Sequence, residues 1–240
     1  MTLSQQFAPF DQRKTTLDNG LVILTETVPH TRAVSFGVFL RTGSRFERAE
    51  QNGLTHFIEH AVFKGTRRRS ALQIANEADA LGGNLNAYTS RESVGFHNDV
   101  VDTDLPKAFE LLTELVLQPA FDPVELDKER NVILEEIKMT EDTPDDVLFD
   151  IFTENFYAQH PLGRRILGTS DTLTTFKDAR LTEYYESLFS PANLVVAAAG
   201  NLAHDQIIEL TAKTFGALPK HTAAVPQPAP APIAHLTFHP

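Results

Sequence analysis

Apolar positions change their spacing several times along this chain, and each change predicts an element. Residues 14–25 hold two β-rich runs either side of Asp18-Asn19-Gly20, and Asn-Gly between such runs signals a hairpin. Residues 33–41 read as a mostly buried strand. From 51 to 64 the period becomes helical: Leu54, Phe57, Ile58, Ala61 and Val62 fall on one stripe, and Gly65 ends it. A second helix covers about 70–81 and stops at Gly82-Gly83. Two short strands, 84–90 and 93–98, follow. A helix from 104 to 117, capped by Asp102 or Thr103, comes next, with helices at about 123–140 and 145–157. Residues 160–171 read as loop, 179–189 as helix, 194–199 as buried strand and 204–216 as helix. Strands at both ends with helices grouped between them predict an α+β fold: a mainly antiparallel sheet packed by several helices.

Beyond Leu218 the pattern stops. Six of the 14 prolines lie at positions 219–240, and such a segment reads as a semi-rigid linker. His235-Leu236-Thr237-Phe238 begins to resemble a strand just as the chain stops. We therefore expect a lobe over 1–218 and, over 219–240, a Pro/Ala-rich linker with the start of a second lobe.

Composition narrows the chemistry. With no cysteine among 240 residues, thiolate metal sites, disulfides and cysteine nucleophiles are excluded, so a metal would sit on His, Asp or Glu. A net charge of −11 argues against nucleic acid as a partner. No apolar run is long enough for a membrane span, and the first residues carry no signal or transit pattern. On those grounds we expect a cytoplasmic protein with no membrane association.

The sharpest local feature is His56-Phe57-Ile58-Glu59-His60. On a helix Glu59 lies about 60° to one side of His56 and His60 about 40° to the other, so all three share a face. Two imidazoles at i and i+4 can chelate one zinc ion, and a carboxylate beside them can serve as a base. This is the H-E-x-x-H arrangement in reversed order. A third ligand must come from elsewhere. The 123–140 helix offers Glu125, Glu129, Glu135 and Glu136. Glu129 and Glu136 fall on its apolar stripe of Leu126, Val132, Ile133 and Ile137, whereas Glu135 lies with Asp127, Asn131 and Lys138 on the polar side. Carboxylates on an inward face are costly unless paired or metal-bound, which singles out Glu129 and Glu136.

His56-x-x-Glu59-His60 followed by Glu129-Arg-Asn-Val-Ile-Leu-Glu-Glu136 resembles the inverted-motif zinc peptidases, the family of pitrilysin, insulin-degrading enzyme and mitochondrial processing peptidase. Further matching segments are Arg41-Thr-Gly-Ser-Arg45, Gly53-Leu-Thr-His56, Gly82-Gly83-Asn84-x-Asn86-Ala87-Tyr88-Thr89, Pro161-Leu-Gly163 and Pro191-x-Asn193. The resemblance implies zinc on His56, His60 and Glu136, one ion per chain. It implies Glu59 as general base and Glu129 as a supporting acid. It also implies that Asn84, Asn86, Ala87 and Thr89 lie on an edge strand that pairs with an extended peptide, a recognition mode that tolerates varied side chains. The implied function is zinc-dependent endopeptidase; the alternative is a lobe that binds zinc or a partner without being catalytic on its own. The implied partner, besides the peptide, is a C-terminal lobe or a second subunit of the same family.

Overall fold

The hairpin at Asn19-Gly20 forms as β1 (Asp11–Thr16) and β2 (Val22–Thr27), paired antiparallel from Asp11↔Thr27 to Thr16↔Val22. The computed structural model describes residues 11–220, the side chains of 178 and 179 excepted. The expected linker and the strand-like run at 235–238 thus lie outside the described residues, apart from positions 219 and 220.

Four more strands complete the sheet: β3 (Ala33–Leu40), β4 (Asn86–Thr89), β5 (Val94–Val101) and β6 (Leu194–Gly200). Their order is β1-β2-β6-β3-β5-β4. All neighbours are antiparallel except β2 and β6, which run parallel. The α+β expectation with a mainly antiparallel sheet holds. The late strand β6 sits near the middle, so the chain leaves the sheet after Val101 and returns at Leu194 to close it.

Period-two alternation puts Ile23, Val34, Phe36, Val38, Leu40, Val94, Phe96, Val196 and Ala198 on one buried face. The described helices are α1 (Leu54–Ala61), α2 (Ala71–Leu81), α3 (Leu105–Leu117), α4 (Pro123–Glu141), α5 (Pro144–Phe156), α6 (Ser170–Thr175), α7 (Asp178–Leu188) and α8 (His204–Phe215), of which α1, α3 and α8 pack on the sheet. Phe109 of α3 stacks on Phe36 at 5.6 Å between ring centres, anchoring α3 to the sheet. Leu24, Ser35, Phe39, His97, Ala197 and Ala199 line an open groove that includes part of the opposite face. No helix among the described residues is long and apolar enough to cross a membrane.

Three boundaries differ from expectation. The 51–64 helix is α-helical only from Leu54 to Ala61, flanked by 3-10 turns at Ala49–Gln51 and Val62–Lys64. Its start is set by Gly53 at φ 95°, a left-handed value incompatible with continued helix. The 160–171 segment is not all loop: it holds a 3-10 turn at Pro161–Gly163 and the start of α6, which Thr169 caps. Asp102 and Thr103 belong to a short 3-10 turn, and Asp104 occupies the position before α3 without a capping side-chain bond.

Helix α1 has no cap from its own first residues. The buried carboxylate of Glu47 serves instead, accepting from the Gly53 N–H at 2.9 Å, the Thr55 N–H at 2.7 Å and Asn52 Nδ2 at 3.2 Å. A negative group at a helix N-terminus satisfies orphan donors and complements the helix dipole. Glu47→Ala leaves those N–H groups buried and unpaired. It is expected to destabilise the protein by about 1–3 kcal/mol, read as a lowered thermal midpoint; an unchanged midpoint would show that the helix start does not depend on this carboxylate.

Candidate metal centre

Helices α1 and α4 pack together, and their contact carries the polar outliers that the sequence pattern singled out. On α1 the apolar stripe Leu54, Phe57, Ile58 and Ala61 is buried, which turns His56, Glu59 and His60 toward α4 and β4. On α4, Leu126, Ile133 and Ile137 are buried. Val132 is not: it is 52% exposed, so it falls off the inward stripe on which its spacing placed it. Arg130 locks the pair. Its guanidinium lies 5.7 Å from the Phe57 ring centre and donates to the Leu173 and Phe176 carbonyls beyond.

His56, His60 and Glu136 form the one group among the described residues whose ligand atoms, one from each of three or more His or acidic side chains, all lie within 4.8 Å of one another. Glu136 Oε2 is 3.6 Å from His60 Nε2 and 3.8 Å from His56 Nε2. Ligands about 2.0–2.2 Å from a tetrahedral zinc ion stand about 3.3–3.6 Å apart, so the two separations from Glu136 need only a small contraction. Two imidazole nitrogens and a carboxylate oxygen are also a donor set that zinc accepts. The residues fit the ion.

Glu129, buried at 4% exposure, does not join that cluster. Its Oε1 lies 2.7 Å from His60 Nδ1, and its Oε2 lies 2.6 Å from Lys64 Nζ. A carboxylate on Nδ1 leaves Nε2 facing Glu136, the orientation a metal-binding imidazole needs. Burial alone would raise the Glu129 pKa; hydrogen bonds from His60 and Lys64 bring it below the ordinary carboxylate range. Glu59 behaves oppositely. Burial raises its pKa, and the hydrogen bond from Thr89 Oγ1 at 2.5 Å offsets only part of that.

The segment that the resemblance implied as peptide-binding is only partly a strand. Among the described residues β4 is an edge strand, next to β5 alone. Asn84 precedes it, its N–H held by the Asp99 carbonyl, so it is not a strand residue as expected; the turn from Gly82 consumes it. Asn86 is on the strand but exposed. Ala87 and Thr89 are half-buried, and alternation turns them toward α1, where Thr89 meets Glu59. The structure thus brings together His56, Glu59, His60, Thr89, Glu129 and Glu136, and leaves Asn84 and Asn86 outside. Glu47 and Lys64 escaped the motif reading. Glu47 lies between two matched segments with no periodic signal; Lys64, four residues after His60, could have been flagged by i,i+4 spacing.

The sequence model of the insulinase family, peptidase family M16, matches residues 22–170, and that of the M16 inactive domain matches residues 175–240. An uncharacterized zinc protease of Streptomyces coelicolor is 41% identical over 222 residues, covering 92% of this chain and 48% of that protein. The uncharacterized zinc protease YmxG of Bacillus subtilis is 41% identical over 204 residues, covering 85% and 50%. The chain therefore spans about half the length of these curated relatives. The crystal structure of a protease from Helicobacter pylori superposes with TM-score 0.84 at 24% identity, covering 92% of this chain and 53% of that one, a likeness in fold.

The surroundings shift the two histidines in opposite directions. Burial and the neighbouring His60 lower the His56 pKa to about 4. Burial would lower His60 too, but the hydrogen bond and charge of Glu129, with Glu136 and Glu59, raise it above its ordinary value. The signs follow from linkage. His60 adds stability that is full below about 6.5 and is lost as pH rises through its folded pKa. His56 subtracts stability as pH falls from about 6.5 toward 4, because the unfolded chain takes a proton that the folded chain refuses. In metal-free protein, NMR titration is expected to show His60 protonating first and His56 neutral until near pH 4; matching midpoints near the ordinary value would contradict this.

Proposed function

The chain belongs to the insulinase family of peptidases, M16, and on that premise we propose that it is the zinc-binding, catalytic lobe of an endopeptidase acting on extended peptides or unfolded segments. The observation that carries the reading is the convergence of His56, His60 and Glu136 to within 4.8 Å, with Glu59 on the same helix face. His56 and His60 would hold zinc through Nε2 and Glu136 through a carboxylate oxygen, one ion per chain. Zinc so held supplies Lewis acidity, polarising a peptide carbonyl and acidifying water.

The remaining steps fall to the protein's own groups. Glu59 accepts a proton from the attacking water and returns it to the leaving amine. Thr89 steadies the Glu59 carboxylate from β4. The free edge of β4 offers backbone donors and acceptors beside the site, so a substrate strand added there would pass close to Glu59. Asn86 and Ala87 would contribute through that backbone ladder, and Asn84 through the turn leading into it. The site opens to solvent along the Glu136 side, where a second lobe or subunit of the same family would close over the peptide; this is why we propose such a partner. The match of residues 175–240 to the M16 inactive domain supports a second reading, a lobe that binds zinc without cutting peptides alone.

Elemental analysis of zinc-reconstituted protein is expected to find about one zinc ion per chain, lost in His56→Ala. No zinc above background in folded protein would end the metal assignment. Full-length protein carrying this lobe is expected to cut an unstructured peptide, and Glu59→Gln to lose at least about 100-fold while keeping its zinc. Equal cutting by both would remove Glu59 from its role.

A further inference from the structure

We propose that Lys64 is a positioning residue for His60, acting through Glu129 to hold the imidazole with Nε2 turned toward Glu136; the inference rests on the zinc reading above. Three observations carry it. Lys64 ends the 3-10 turn that continues α1, four residues beyond His60, so the two side chains leave neighbouring positions on one continuous helical path. Both reach the same carboxylate on α4, and each takes a different oxygen: Oε1 faces His60 Nδ1 at 2.7 Å and Oε2 faces Lys64 Nζ at 2.6 Å. The carboxylate is almost wholly buried, its side chain 5% exposed, while the Lys64 side chain is 34% exposed.

The geometry separates this pair from a surface ion pair. An exposed Lys–Glu pair contributes about 0–1 kcal/mol and could be removed with little consequence. A buried carboxylate with only one partner is a different object, because its second oxygen has lost water and gained nothing. With His60 alone, Glu129 could turn about its last torsion and meet Nδ1 with either oxygen or neither, since such terminal torsions are broad. The ammonium on Oε2 removes that freedom. The imidazole plane is then set by a carboxylate that is itself held in place, and the apolar neighbours Leu126 and Ile133 confine the same segment of α4. Carboxylates that orient metal-bound histidines change metal affinity by about 10–100-fold when removed, and the effect should pass to whatever orients the carboxylate. The ion pair that Lys64 makes is with Glu129, not with His56, His60 or Glu136, so its influence has Glu129 as its route.

Zinc affinity, measured by competition with a chromophoric chelator on the 240-residue chain, tests this without any activity assay. Lys64→Met keeps the apolar stem and removes the ammonium. We expect it to bind zinc about 10-fold more weakly than the unaltered chain, with an unchanged circular dichroism spectrum. Glu129→Gln is expected to lose at least as much, and the double variant no more than Glu129→Gln alone, because the two residues act in series. Lys64→Arg, which keeps a cation, is expected to recover most of the affinity and also reads the question should Lys64→Met not fold. Equal affinity for Lys64→Met and the unaltered chain, or losses that add in the double variant, would overturn the role of Lys64 while leaving the zinc site standing. Failure of the unaltered chain to bind zinc would overturn both.

Discussion

The contact between α1 and α4 is the constraint on which the rest of this structure depends. Each helix buries an apolar stripe, and each brings into that seam charged groups that an apolar contact would ordinarily reject. Desolvation therefore works on His56, Glu59, His60 and Glu129. It pushes His56 toward its neutral form, raises Glu59, and would raise Glu129 were His60 and Lys64 not bonded to it. What makes the seam tolerable is pairing: one carboxylate between an imidazole and an ammonium, another facing two imidazoles, a third met by a hydroxyl from the sheet. Burial favours the neutral His56 imidazole that a cation needs, whereas the carboxylates around His60 favour a proton that a cation would have to displace.

Holding two helices at this spacing requires a rigid frame, and the frame is built from distant parts of the chain. Glu47 caps the start of α1 from the segment after β3. Tyr184 of α7 reaches the Thr55 hydroxyl at 3.1 Å, and Arg130 binds one carbonyl within α6 and one just after it. Strand β6, contributed late, separates β2 from β3 and cannot be removed without opening the sheet. Among the described residues, the two matched family segments thus meet inside one sheet, through β6 between β2 and β3. The candidate site sits at one edge of that sheet, beside β4.

Much of this was legible along the chain. Hairpin, sheet-forming strands and long helices followed from local chemistry, because Asn-Gly turns, alternation and helical stripes act over a few residues. The metal pair was equally local: i and i+4 on a helix are neighbours whatever the rest of the molecule does. Even the choice of Glu129 and Glu136 over Glu135 followed from the period of one helix, and the structure leaves Glu135 exposed. The misreadings have local causes too. Val132 sits near the edge of the stripe, where a few degrees of rotation decide burial, and Asn84 was assigned to a strand whose start was set by the preceding glycine turn.

Which of the two glutamates faces which histidine nitrogen was beyond the sequence. Seven residues apart, Glu129 and Glu136 are nearly equivalent on the helix; only the crossing of α4 over α1 places one at Nδ1 and the other at Nε2. The partners of these groups were likewise invisible, for Lys64, Thr89 and Glu47 reach their targets across gaps of 65, 30 and 8 residues. The sequence by itself determined the elements, the donor types and the pairing of two histidines on one face, since those depend on spacing within a single helix or strand. Tertiary structure alone decided which carboxylate meets which nitrogen and what holds it there, since that depends on where separate elements come to rest against one another.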